Sequence, residues 1–157
     1  MKRLSLLINY YYQASRLPEY LAPVLDLGIR LFLANVFFKS GLTKIYNWES
    51  TLYLFNDVYQ VPVLSPELAA CLATGAELGL PVLWVLGLFG RFAALGLFIL
   101  NLVAVISYYS GLSESGINQH MYWGMLLAVL LVISRSAWSL DTLLGKYIDP
   151  IRIPDLR

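Results

Sequence analysis

Residues 31–48 read "LFLANVFFKSGLTKIYNW", the apolar content of a membrane-crossing helix with two lysines set into it. Lys39 and Lys44 lie inside the run, and Arg30 stands immediately before it. Placing a cation at the centre of a bilayer costs at least about 2.5 kcal/mol on insertion scales. Each of the three therefore needs a counter-charge, a route to water or a bound group.

The composition shows that the run belongs to a membrane protein. Of 157 residues, 59% are hydrophobic and only 13% charged, against about 25% charged in a soluble domain. A span takes about 20 apolar residues. Four such stretches, roughly 22–46, 66–89, 91–112 and 118–137, predict an all-α, four-helix transmembrane bundle filling 1–157 as one domain. Ser65 and Pro66 make a good N-cap and first turn for the second helix. Gly87 and Gly90 mark the turn into the third, and "GLSESGIN", residues 111–118, is the expected loop before the fourth.

Two shorter helices complete the expectation. The opening residues "MKRLSLLINYYYQASRLPEY" begin like a signal peptide but have a short apolar core and no small-residue cleavage site. Leu4, Leu7, Ile8, Tyr11 and Tyr12 follow helical spacing, so this segment reads as an N-terminal amphipathic helix on the membrane surface. In the first loop, 47–65, Trp48, Leu52, Phe55 and Tyr59 recur at helical spacing and predict a short interfacial helix. Lys2, Arg3, Arg16, Arg91, Arg135, Lys146, Arg152 and Arg157 fall in the N-terminal region, the second loop or the C-terminal region, whereas the first loop has no Lys or Arg. By the positive-inside rule both termini are cytoplasmic and the first loop faces outward.

Several functions are excluded at once. A net charge of +1 provides no basic stripe for nucleic acid. One cysteine and one histidine exclude an internal disulfide, a multi-cysteine metal or iron–sulfur site, bis-histidine haem and three-histidine zinc within this chain. The expected partners are the lipid bilayer and either a second subunit or further copies of the chain.

At 100° per residue, Arg30, Phe37, Gly41 and Lys44 share one face of the first helix, with Asn35 and Lys39 nearly opposite. A helix polar on two faces sits centrally or meets another subunit. Glu77 is the one deeply placed acid. An antiparallel second helix is expected to bring it between the levels of Arg30 and Lys39, within reach of either, while Lys44 snorkels to the outer interface. Pro81, four residues on, removes the donor to the Glu77 carbonyl and bends the helix there. His120 opens the fourth helix in the same outer half, and Asn101 is an interhelical hydrogen-bonding residue midway along the third. Arg30, Lys39, Lys44, Glu77 and His120 are thus the candidate ligand-binding residues, for a quinone headgroup or a small oxyanion. At the inner boundary, Arg91 and Asp141 are expected to form a structural ion pair.

These features in order resemble the DoxX family of small four-helix bacterial membrane proteins. The carrying residues are Arg30, Phe37, Gly41 and Lys44, then Glu77, "GLFGRFAAL" with Arg91, and "WSLD" with Ser139 and Asp141. Two positions depart from the family pattern: Ser40 stands where histidine often precedes the glycine, and Ser134 and Ser136 replace a Gly-x-Gly. The resemblance implies a bacterial inner membrane and, for some relatives, a membrane subunit of an oxidoreductase complex working with quinone. "LANVFFKSGLTKI" and "LSPELAA" resemble a subgroup found beside peptide-modifying iron enzymes of metal-stress operons. Three functions remain open: a subunit of an oxidoreductase or redox/metal-stress complex, with a bound quinone as its cofactor; a non-catalytic scaffold or anchor for a partner; and a small-solute or metal permease.

Overall fold

The computed structural model of the chain describes residues 10–13, 15–133 and 140, all helix, turn or loop with no strand among them. α1 runs Leu17–Tyr46, and α2, Trp48–Tyr53, passes into a π-helical turn at Leu54–Val58. α3 is Pro66–Leu86, α4 is Gly90–Tyr108 and α5 is Glu114–Ile133. Of these, α1, α3, α4 and α5 are long and apolar enough to cross a membrane. Large apolar side chains such as Phe32, Leu95, Leu102, Ile106 and Val129 are exposed around them and meet lipid. Most of the expected N-terminal surface helix, the end of the fourth span and Asp141 lie outside the described residues.

The helix ends follow from local chemistry. Ser65 Oγ accepts from the Leu68 N–H, and Pro66 occupies the first turn, where its missing donor costs nothing. α3 stops at Gly87, which adopts φ 69°, a left-handed conformation that glycine enters without steric cost. α5 begins at Glu114, four residues before the sequence expectation of 118, because Ser113 Oγ caps it by accepting from the Gly116 N–H at 3.2 Å. Much of "GLSESGIN" is therefore the first turn of a helix.

The helices pack in the order α1, α3, α4, α5, and α5 returns to α1 at few points. One is the Phe37–Trp123 ring contact, centroids 6.2 Å apart. Leu33, Phe37, Trp84, Leu97 and Leu127 fill the core.

The register of α1 on α3 differs from the expected one. Gly41 lies against α3 so closely that an added Cβ would sit 2.8 Å from Leu78 Cγ and 3.0 Å from Glu77 Cβ. Lower down, Leu31, Ala34, Asn35 and Phe38 line a groove with Pro81, Val82, Val85 and Leu86. Both contacts put Gly41 level with Glu77 and Leu78, so the Lys44 side chain reaches back along α1 to Glu77, about 16 Å below the start of α3 at 1.5 Å per residue. α1 thus ends about 10 Å short of the start of α3, and Arg30 comes level with the α3–α4 turn. The sequence expectation paired Glu77 with the Arg30-to-Lys39 stretch because it aligned the two helix ends.

The space above the end of α1 is filled by α2. Trp48, Leu52, Phe55 and Tyr59, the stripe that predicted a short helix, cluster with Ala69 and Ala70 of α3. Asn47 Oδ1 starts α2 by accepting from Ser50 N–H at 3.1 Å, and Thr51 Oγ1 ties it down by donating to the Lys44 carbonyl at 3.1 Å. This end of the bundle is called the capped end below.

The Gly41 approach yields a stability test. Gly41→Ala should destabilise the protein by about 1–3 kcal/mol through overpacking. Gly28→Ala, where an added Cβ meets nothing within 4 Å, should be neutral or slightly stabilising. Thermal unfolding of the two variants in one detergent checks the contrast.

Candidate functional site

Halfway along the bundle, Lys44 Nζ lies 2.7 Å from Glu77 Oε2 and 2.8 Å from Oε1. It also donates to Ser40 Oγ at 3.0 Å, and Ser40 Oγ donates to Glu77 Oε1 at 3.2 Å. The ammonium's three donors are all engaged. Lys44 therefore does not snorkel to an interface, and neither Arg30 nor Lys39 is the partner of Glu77 in this ion pair. Pro81, buried in α3, withholds the N–H that would have bonded the Glu77 carbonyl.

The pair borders a cavity of about 830 Å³, large enough for a cofactor-sized ligand. Its origin is legible in side-chain size. Toward α4, the lower half of α3 presents Leu80, which would meet a Cβ at Gly96 at 2.6 Å. The upper half presents Ala69, Ala73 and Ala76, opposite Ala104 and Ser107, and the space left between them is the cavity. Phe37, Trp123, Leu80 and Gly96 line its lower part.

The roof is aromatic. Phe55 and Tyr59 meet edge to face at 5.1 Å, Tyr59 and Tyr108 at 5.3 Å, and Gln60 N–H donates to the Ser107 carbonyl at 2.9 Å. The π-helical turn sets up this arrangement, since its wider winding places Phe55 and Tyr59 four residues apart on the cavity side. Burial, then Tyr108, then the Glu77 carboxylate hold the Tyr59 phenol above its ordinary value of 10.0. Ser107 borders the cavity and is only 7% exposed, and its Oγ, itself buried, has no hydrogen-bond partner among the described residues.

On the α5 side the cavity meets His120, whose ring is fixed by Asn101. Asn101 Nδ2 donates to the His120 carbonyl at 3.0 Å, and His120 Nδ1 lies 2.8 Å from Asn101 Oδ1. The carbonyl can only accept, so the amide must present its nitrogen there and its oxygen to the ring. Nδ1 therefore carries the proton, and in the neutral ring Nε2 is left as an acceptor. Gly124 makes room for Asn101, since a Cβ there would lie 3.2 Å from Nδ2.

Four of the five sequence candidates, Lys39, Lys44, Glu77 and His120, line this one cavity. Lys39 is exposed at its rim, its carbonyl accepting from Thr43 Oγ1. Arg30 stands apart: buried at 3% exposure, it pairs with Asp26 at 2.7 Å near the α3–α4 turn. Arg91 is exposed in the first turn of α4, and its expected partner Asp141 is not among the described residues. Ser40, Tyr59, Ser107, Tyr108 and Trp123 were not among the sequence candidates. Only Ser40 carried a signal, standing at the position where the resembled pattern has histidine.

The sequence model of the DoxX family matches residues 25–110, from α1 through the end of α4. This chain belongs to the DoxX family. An uncharacterized protein of Haemophilus influenzae is similar to this DoxX chain, 32% identical over 124 residues that cover 75% of the chain and 82% of the relative. No solved structure matches. The DoxX match takes in the Lys44–Glu77 pair, the cap and most of the cavity wall, but not His120.

Two predictions follow from the geometry. Glu77→Leu or Lys44→Met alone leaves a charge unpaired inside the bundle and should cost about 3–5 kcal/mol, whereas the double variant should recover most of it. Denaturant titrations arranged as a double-mutant cycle give the coupling. For Tyr59, a raised phenol value means that the folded cap favours the neutral form. The stabilisation is complete below about pH 10 and is lost as pH rises through the folded value. Absorbance at 295 nm should show a late-titrating tyrosine that Tyr59→Phe removes.

Proposed function

We propose that this DoxX protein is the membrane subunit of an oxidoreductase or redox/metal-stress complex, and that its cavity holds a quinone headgroup. The supporting observation is an intramembrane cavity of about 830 Å³ whose largely apolar walls also carry a charged pair and the His120 ring. The residues fit a flat ring with oxygens on opposite edges. Lys44 and His120 line the cavity with polar groups. Phe37, Phe55, Tyr59 and Trp123 supply aromatic faces.

Within that reading each side chain has a task. The Lys44 ammonium, held by Glu77 and Ser40, sits where it stabilises negative charge developing on a headgroup oxygen. His120 Nε2, left basic by the Asn101 contact, accepts a proton or a hydroxyl hydrogen bond. The Phe55–Tyr59–Tyr108 roof keeps bulk water out. A quinone, when bound, supplies the two-electron, two-proton chemistry. With one cysteine and one histidine in the chain, the electron donor belongs to a partner subunit. The basic residues of the N-terminal, second-loop and C-terminal segments orient the chain in a bacterial inner membrane with both termini cytoplasmic and the capped end outward.

A scaffold is the second reading, favoured by the full use of the Lys44 donors within the chain. In that case the pair only fixes helix register. Trp123 lines the cavity and makes the test direct. In nanodiscs, ubiquinone-1 should quench tryptophan fluorescence saturably, and Trp123→Phe should remove most of the amplitude. Absence of saturable quenching in the wild type would leave the scaffold.

A further inference from the structure

The cavity reaches the surface of the bundle on two sides, and the two sides differ in chemistry. Between α1 and α5 its lining is polar: Lys39 and Thr43, both exposed, lie beside Ser40, Lys44 and His120. Between α3 and α4 it is apolar: Leu72 and Ala76 of α3 face Ile99 and Val103 of α4. Leu72 is 53% exposed and Ile99 50% exposed, and helical spacing puts both on the lipid side of the contact between their helices. A side chain that lines a cavity and also faces lipid marks its mouth.

The mouth exists because α3 and α4 touch closely at one level and not above it. Below it, Leu80 fills the space at Gly96. Above it, Ala76 and Ala104 leave the helices without interlocking side chains.

We infer that the α3–α4 crevice is a lateral portal for a hydrocarbon tail, so that the ligand of this cavity is a membrane lipophile with an oxygen-bearing head and not a small water-soluble anion. This rests on the cavity being a ligand site, as proposed above. The head lies toward Lys44 and His120, and the tail passes Ala76 between Leu72 and Ile99 into the lipid. A small oxyanion needs only the Lys39 side and gains nothing from an apolar opening. A tailed quinone needs both ends, because burying its whole tail inside about 830 Å³ would leave no room for the head.

The test compares probes that share a head and differ in the tail: ubiquinone-0, which has none, and decylubiquinone, both by tryptophan quenching in nanodiscs. Ala76→Phe, which plugs the crevice, should weaken decylubiquinone at least tenfold more than it weakens ubiquinone-0. A second measurement does not depend on the variant folding. A decylubiquinone analogue carrying a diazirine at the tail end, photolysed in the wild-type protein, should label the peptide around Leu72 or that around Ile99. Equal effects of Ala76→Phe on both probes, or label on the α1 peptide around Lys39, overturns the portal while leaving the head site standing. Binding of ubiquinone-0 without decylubiquinone also overturns it and points to a small solute. If neither probe binds the wild type, the quinone reading itself falls and the portal with it.

Discussion

Everything in the upper half of this bundle depends on one ion pair formed far from water. Lys44 and Glu77 meet at 2.7 Å at mid-height, where an unpaired charge of either sign would be too costly to keep. The pair fixes how far α1 slides along α3, and Gly41 permits the approach by offering no Cβ at the contact. Once α1 is held there, it ends about 10 Å short of the start of α3. The remaining height must be filled by something other than a spanning helix, and α2 with its π-helical turn fills it.

The cavity is a consequence of that arrangement together with side-chain size. A first helix continued in line past Tyr46 would have covered Ala69 and Ala70 in place of the cap. The cap instead contacts the bundle through Trp48, Leu52, Phe55 and Tyr59, the Thr51 hydroxyl and a backbone hydrogen bond from Gln60, leaving the volume beneath it open. The ion pair thus shapes a site as well as contributing charge to it. Removing both charges need not unfold the protein, yet it would change the polarity of the cavity beside His120.

Much of this was readable from the residues alone. Apolar run length gave the four spans, and the Trp48, Leu52, Phe55, Tyr59 spacing gave the cap helix. Glu77 was recognisable as the acid that had to be neutralised. Its partner was not, because ionic pairing depends on axial register, and register is set by contacts such as Gly41 on Leu78 that no single helix encodes. Ser107 and Tyr108 were invisible for a similar reason. A serine near a helix end and a tyrosine near a membrane boundary are ordinary, and only the tertiary arrangement puts them around one space. Arg30 was grouped with Lys44 on a shared face, correctly as to direction, but 14 residues of helix separate the two by about 21 Å.

The turn from Gly87 to Phe89 has a mechanical side. Phe89 follows Gly87 into the left-handed region, at φ 50°, so α3 and α4 are joined by a short connection near one membrane face while the apolar crevice lies toward the other. The hairpin behaves as a pair of arms on a pivot. Leu72 stands about 22 Å from that pivot along α3, so a change of only about 5° between the arms moves the crevice walls by about 2 Å, roughly the difference between admitting and refusing a methylene chain. Substitutions at Gly87, remote from every polar group in the cavity, therefore act on the width of its opening.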